Sequence, residues 1–160
     1  MFKIGDYITH PMHGAGVIES IVTKKINGSQ RDYYVLKLPV SDMVVMVPVS
    51  GCEDIGVRSI ISRSEAEKLF SAFSEIEISM TQNWNKRYRE NMDKIKSGNL
   101  LDVASVVKGL MCRDSERGLS TSERKMLHSA KQILISELVI ATDMDYDGVE
   151  KRLCAALKEG

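Results

Sequence analysis

The feature that most constrains this chain is a change of period near residue 62. All three prolines (Pro11, Pro39, Pro48) fall before that point, together with most of the β-branched residues. Short apolar alternations there predict strands over 7–10, 16–26, 32–38, 43–47 and 57–61. Asn27-Gly28 separates the second from the third, and this dipeptide readily accepts the positive φ angles of a tight hairpin. Five short strands in about sixty residues predict a small antiparallel barrel or curled sheet. Pro48 cannot donate to a ladder, so its strand is expected at an edge, where a partner's strand can add.

From Ser62 onward the apolar residues recur at helical spacing. Ser64-x-x-Glu67 has the form of a capping box ahead of Leu69, Phe70 and Phe73. A second helix is predicted over 81–97, stopped by Gly98, and Asn99 caps a third with Val103, Val106, Val107 and Leu110 on one face. Ser120-x-x-Glu123 opens a fourth, carrying Leu127, Ala130, Leu134 and Leu138. A last helix is expected after Asp147. The expected architecture is therefore α+β: a β domain over 1–62 followed by an all-α domain over 63–160.

Composition narrows the classes of function. A hydrophobic share of 43% supplies a packed core, which excludes wholesale disorder. The opening Met-Phe-Lys-Ile-Gly-Asp has no apolar run after its basic residue, so no secretory signal is expected, and no membrane span is expected either. Cys52, Cys112 and Cys154 are widely spaced and form no CxxC pair, the usage expected of reduced thiols in a cytoplasm. Net charge is zero, but residues 81–140 carry 11 basic against 7 acidic side chains, a modest basic region.

Three local patterns imitate chemistry without supplying it. His10 and His13 stand three residues apart with no cysteine or carboxylate pair beside them, short of a zinc ligand set, and read as turn residues. His13-Gly-Ala-Gly16 leads into a strand, whereas a phosphate loop opens a helix. Asp143-x-Asp145-x-Asp147-Gly148 begins like a calcium loop, but its twelfth position is Cys154 rather than a bidentate glutamate. Asp147 as a helix cap explains the same carboxylates. His128 has no nucleophile in any recognisable local motif. No catalytic residue, metal site, cofactor or small-molecule substrate is expected, and the chain is not expected to be an enzyme.

The informative stretch is Asn83-Trp84-Asn85-Lys86-Arg87-Tyr88-Arg89, which joins the only tryptophan to three cations in the first turns of a helix. Cations so placed can hold phosphates while an aromatic ring reaches a groove or base step. Trp84, Tyr88, Met92 and Ile95 also fall on one helical stripe, and on spacing alone Trp84 reads as core in preference to a DNA contact, with the cations as a solvated face.

Lys3-Ile-Gly-Asp-Tyr-Ile-Thr-His-Pro-Met-His-Gly-Ala-Gly-Val-Ile18 resembles the opening of the RNA-polymerase-interaction domain of the CarD family. Asn83-Trp-Asn-Lys-Arg-Tyr88, Arg113-Asp-Ser-Glu-Arg-Gly-Leu-Ser120 and Glu123-Arg-Lys-Met-Leu127 resemble that family's C-terminal domain. The first half is also similar to a domain of transcription-repair coupling factors, from which the second half and the lack of helicase motifs distinguish this chain. The resemblance implies a Tudor-like β domain that contacts the RNA polymerase β subunit through a face including Lys24 and Met46. It also implies a helical domain on promoter DNA at the upstream edge of the bubble. There Trp84 would enter the minor groove as a wedge, and Lys86, Arg87 and Arg89 would meet the backbone, largely without regard to sequence. The implied function is a transcription initiation regulator that stabilises the open complex, working in the cytoplasm on the nucleoid. Two positions depart from the family's pattern: Met46 stands where some members carry arginine, and Cys112 where some carry another basic residue. A rival expectation is a polymerase-bound adaptor whose helical half recruits a second regulator rather than DNA.

Overall fold

The computed structural model describes residues 1–159. Five strands, β1 (Tyr7–His10), β2 (Gly14–Ile26), β3 (Ser29–Leu38), β4 (Met43–Pro48) and β5 (Arg58–Ser59), are followed by five helices. The helices are α1 (Arg63–Phe73), α2 (Trp84–Lys96), α3 (Leu100–Arg117), α4 (Thr121–Thr142) and α5 (Tyr146–Glu159). The strands form one antiparallel sheet in the order β4-β3-β2-β1-β5.

Asn27 and Gly28, at φ 51° and 81°, make the β2–β3 turn and set the register that pairs Ile26 with Ser29. Beyond the irregularity between Ile18 and Ser20, side chains alternate cleanly. Tyr34, Leu36 and Leu38 point inward with Ile8, Ile18 and Val47, and Cys52 and Val57 of the β4–β5 connection close over them. The fifth expected strand shortens to Arg58–Ser59, because the Arg58 side chain and the Ile61 amide are engaged by a helix. Pro48 ends β4, which pairs with β3 alone and leaves its other edge free.

The helices bury a second cluster, centred on Phe73, Leu110, Leu134, Ile135, Leu138 and Leu153. Two caps sit earlier than spacing predicts. The capping box of α1 is Ser62 with Glu65, not Ser64 with Glu67. Two overlapping S-x-x-E frames compete here, and the earlier one frees Glu67 to form a bidentate pair with Arg152 of α5, whose guanidinium lies 3.9 Å from the Phe70 ring centroid. At α5 the capping acceptor is Asp145, which takes the Gly148 amide at 2.7 Å, in place of Asp147. The Ser120 cap of α4 and the Asn99 cap of α3 form as expected.

Sheet and helices are joined through α4. The Ala15 amide donates to the buried Ser136 hydroxyl at 2.9 Å, and a Cβ on Gly14 would lie 2.5 Å from that same oxygen. Glu137, fully buried, accepts a bidentate pair from Arg58 at 2.7 and 2.9 Å and the Ile61 amide at 2.8 Å. Arg58 also donates to the Gly98 carbonyl between α2 and α3 at 2.9 Å. One carboxylate thus ties the last strand, the entry to α1 and the turn after α2 into a single junction.

Candidate functional site

The N-terminus of α2 is set by Asn83, whose side chain accepts the Lys86 amide at 2.9 Å. Trp84 is therefore the first residue of the helix, not a residue of its second turn. The stripe that buries Ile95 and half-buries Tyr88 and Met92 runs out at this end. The indole stacks on Tyr88, with ring centroids 5.3 Å apart and planes 18° from parallel, and stays 41% exposed. Its Nε1 donates to the Ser120 hydroxyl at 3.3 Å. The ring rests against Tyr88 at the edge of the core and is not sealed within it.

Lys86 and Arg89 are exposed on α2. Among the described residues, the only acidic contact of Lys86 is Glu90 one turn on, at 4.0 Å across two solvated side chains, too weak to hold its ammonium away from another partner. Arg87 departs from the expectation. Its guanidinium is 2% exposed and makes a two-pronged pair with Glu123 of α4, at 2.8 and 3.1 Å, while its third nitrogen donates to the carbonyls of Thr81 and Gln82. With its three nitrogens all bonded within the protein and almost no surface exposed, Arg87 offers little to a phosphate in this conformation. The guanidinium bonded to Glu123 holds that carboxyl below the usual carboxylate range, against the opposing effect of burial. The pair therefore stabilises the fold above the ordinary carboxylate pKa of about 4.3, and its contribution fades as pH falls through the depressed folded value.

Spacing missed the other wall of this site. The turn between α3 and α4 brings Ser120 against Trp84, and Arg117 donates to Gln82 at 3.4 Å just ahead of α2. Arg124 and Lys125 are exposed in the first two turns of α4. The signal was present as a run of Arg113, Arg117, Arg124 and Lys125 around a Gly118 helix stop, but nothing local says that it meets α2.

On the sheet, Lys24 pairs across to Arg31, and Met46 to Val35. Alternation puts both on the outer face, with Val22, Tyr33 and Val44, in separate corners about 13 Å apart along the strands. Val44 and Met46 are 56% and 38% exposed beside the free edge of β4, an apolar strip at an unpaired ladder.

The patterns that imitate metal sites resolve into turns. His10 accepts the Met12 amide through Nδ1 at 3.0 Å, and burial, with His13 beside it, pushes its pKa down. Asp143 ends α4 in a left-handed conformation. Among the described residues no group of three or more His, Cys, Asp or Glu is placed to hold a metal ion. No helix among them is long and apolar enough to cross a membrane.

Two family models cover nearly the whole chain: "CarD-like/TRCF RID domain" matches residues 2–61 and "CarD, C-terminal domain" matches residues 68–154. A Bacillus subtilis (strain 168) protein named "Putative transcription factor YdeB" is 39% identical over 140 residues, covering 88% of this chain and 92% of its own length. The chain belongs to the CarD family of transcription regulators, and its β unit is the Tudor-like domain of that family. These matches point to a regulator rather than an enzyme.

Proposed function

We propose that this protein docks on the RNA polymerase β subunit through the outer face and free edge of its sheet, and props the promoter bubble open with Trp84. The observation that carries this reading is the state of the ring. A large aromatic held half-exposed at a helix start, backed by Tyr88 and flanked by the exposed Lys86 and Arg89, is arranged to cover an unstacked base step. Its cations supply attraction to phosphates that does not depend on sequence. Arg87 has a different part, holding α2 against α4 through Glu123. On the sheet, the apolar strip of Val44 and Met46 beside an unpaired edge fits strand addition by a partner, with Lys24 adding charge at the far corner. A factor of this kind would act in the cytoplasm, on the nucleoid.

Two results are expected. Binding to a forked promoter fragment in the presence of polymerase should weaken with salt. Lys86→Ala and Arg89→Ala should each lower the slope of log K against log salt by about one unit while leaving thermal stability unchanged. Lys24→Glu should weaken capture of polymerase about 5- to 30-fold and leave the melting temperature in place. If polymerase capture persists but the forked DNA contributes no salt-dependent binding, the helical half serves as an adaptor for another regulator instead.

A further inference from the structure

Trp84 and Arg87 lie three residues apart at the start of α2, and Ser120 and Glu123 lie three residues apart at the start of α4. The two pairs face each other. Arg87 donates twice to Glu123, the Ser120 hydroxyl lies 3.4 Å from Glu123 Oε1, and the Trp84 indole donates to the Ser120 hydroxyl. The same hydroxyl accepts the Glu123 amide at 3.2 Å as the helix cap. A serine hydroxyl has one proton and two lone pairs, and here all three are assigned: the proton to the carboxylate, the lone pairs to the amide and the indole. The carboxylate is anchored in turn by a buried guanidinium, so the acceptor presented to the indole is fixed from behind.

We propose that Ser120 is the positioning residue of the Trp84 wedge, an inference that rests on the reading of Trp84 given above. Stacking on Tyr88 supports one face of the ring but makes no directional bond to either of its edges. The bond from Nε1 supplies that direction, selecting the side-chain torsions and with them the edge of the ring that leads into the DNA. It also occupies the only polar group of the indole, so the outward face meets a base step by stacking alone, as sequence-tolerant contact requires.

Because the chain has one tryptophan, its fluorescence reports this ring and no other. Ser120→Gly removes the hydroxyl at a helix-cap cost of only a few tenths of a kcal/mol, and Ser120→Thr keeps it. In the free full-length protein, Ser120→Gly is expected to raise acrylamide quenching and lower the local anisotropy of Trp84, with Ser120→Thr close to wild type. With polymerase on a promoter, Ser120→Gly should shorten the open-complex lifetime about 2- to 10-fold, the range set by one net hydrogen bond, and Ser120→Thr should restore it. Unchanged quenching and anisotropy in a folded Ser120→Gly protein would overturn the proposal whatever the lifetime did. So would a lifetime untouched by Ser120→Gly when Trp84→Ala shortens it. A lifetime untouched by Trp84→Ala itself would instead overturn the underlying DNA reading, and the positioning role with it.

Discussion

Glu137→Ala is expected to lower the melting temperature by about 4–12 °C. The carboxylate is fully buried and answers two Arg58 donors and the Ile61 amide. Its loss leaves the Ile61 N–H unanswered and removes two of the bonds made by Arg58, whose half-buried guanidinium keeps the Gly98 and Ser59 carbonyls. Removing one member of a fully buried ion pair costs about 3–5 kcal/mol; with Arg58 one-third exposed the loss falls at or below the low end of that range, and a chain of this size loses about 2–4 °C per kcal/mol. Arg58→Met combined with Glu137→Leu should recover part of that loss, since an apolar pair of similar volume removes the uncompensated charge but leaves the Ile61 amide and Gly98 carbonyl unanswered. A calorimetric scan of the three proteins checks both expectations. Arg58 also holds the Gly98 carbonyl, so the single Glu137→Ala variant should loosen the turn leading out of α2 as well as the base of the sheet.

Trp84→Ala is expected to do the reverse: little to stability, much to kinetics. A buried tryptophan cut to alanine costs about 3–5 kcal/mol. Here the ring is 41% exposed and its main support is one stacked neighbour. An aromatic pair of that kind contributes about 0.5–1.5 kcal/mol beyond area burial, and the covered part of the ring adds an area term, so the melting temperature should fall by less than the roughly 6–20 °C a fully buried tryptophan would give. The open-complex lifetime should shorten about 5- to 150-fold, corresponding to the roughly 1–3 kcal/mol that one base–aromatic stack contributes. A thermal melt paired with a competitor-challenge decay separates a wedge from a core residue in one variant.

The strands up to β4 were legible in the sequence because local chemistry decides them. Asn27-Gly28 fixes one turn and alternation fixes the face, so residue spacing suffices to put Lys24 and Met46 on their strands. The helix order was legible for the same reason, since Asn99 and Ser120 cap where their spacing says. What escaped was every interaction spanning the two halves or two helices. Arg87 looks like one more exposed cation in a basic run. Only Glu123, 36 residues away, converts it into a buried strut, and no local pattern announces that partner. Glu137 did carry a signal, as the one charge within Ile133-Leu-Ile-Ser-Glu-Leu-Val-Ile140. A carboxylate surrounded by apolar neighbours needs a partner inside, and Arg58 is that partner. The first helix cap was misplaced because Ser62 and Ser64 offer the same pattern two residues apart, and the choice between them depends on Arg152 at the far end of the chain.

The most direct test is the lifetime of a promoter open complex, followed after competitor challenge, as this protein is titrated onto a fixed amount of polymerase. The lifetime is expected to rise and saturate with wild-type protein. With Trp84→Ala the rise should be lost while polymerase binding is retained, and with Lys24→Glu it should need more protein to reach the same plateau. A lifetime that stays flat when polymerase is fully occupied by wild-type protein would contradict the proposal that Trp84 holds the bubble open.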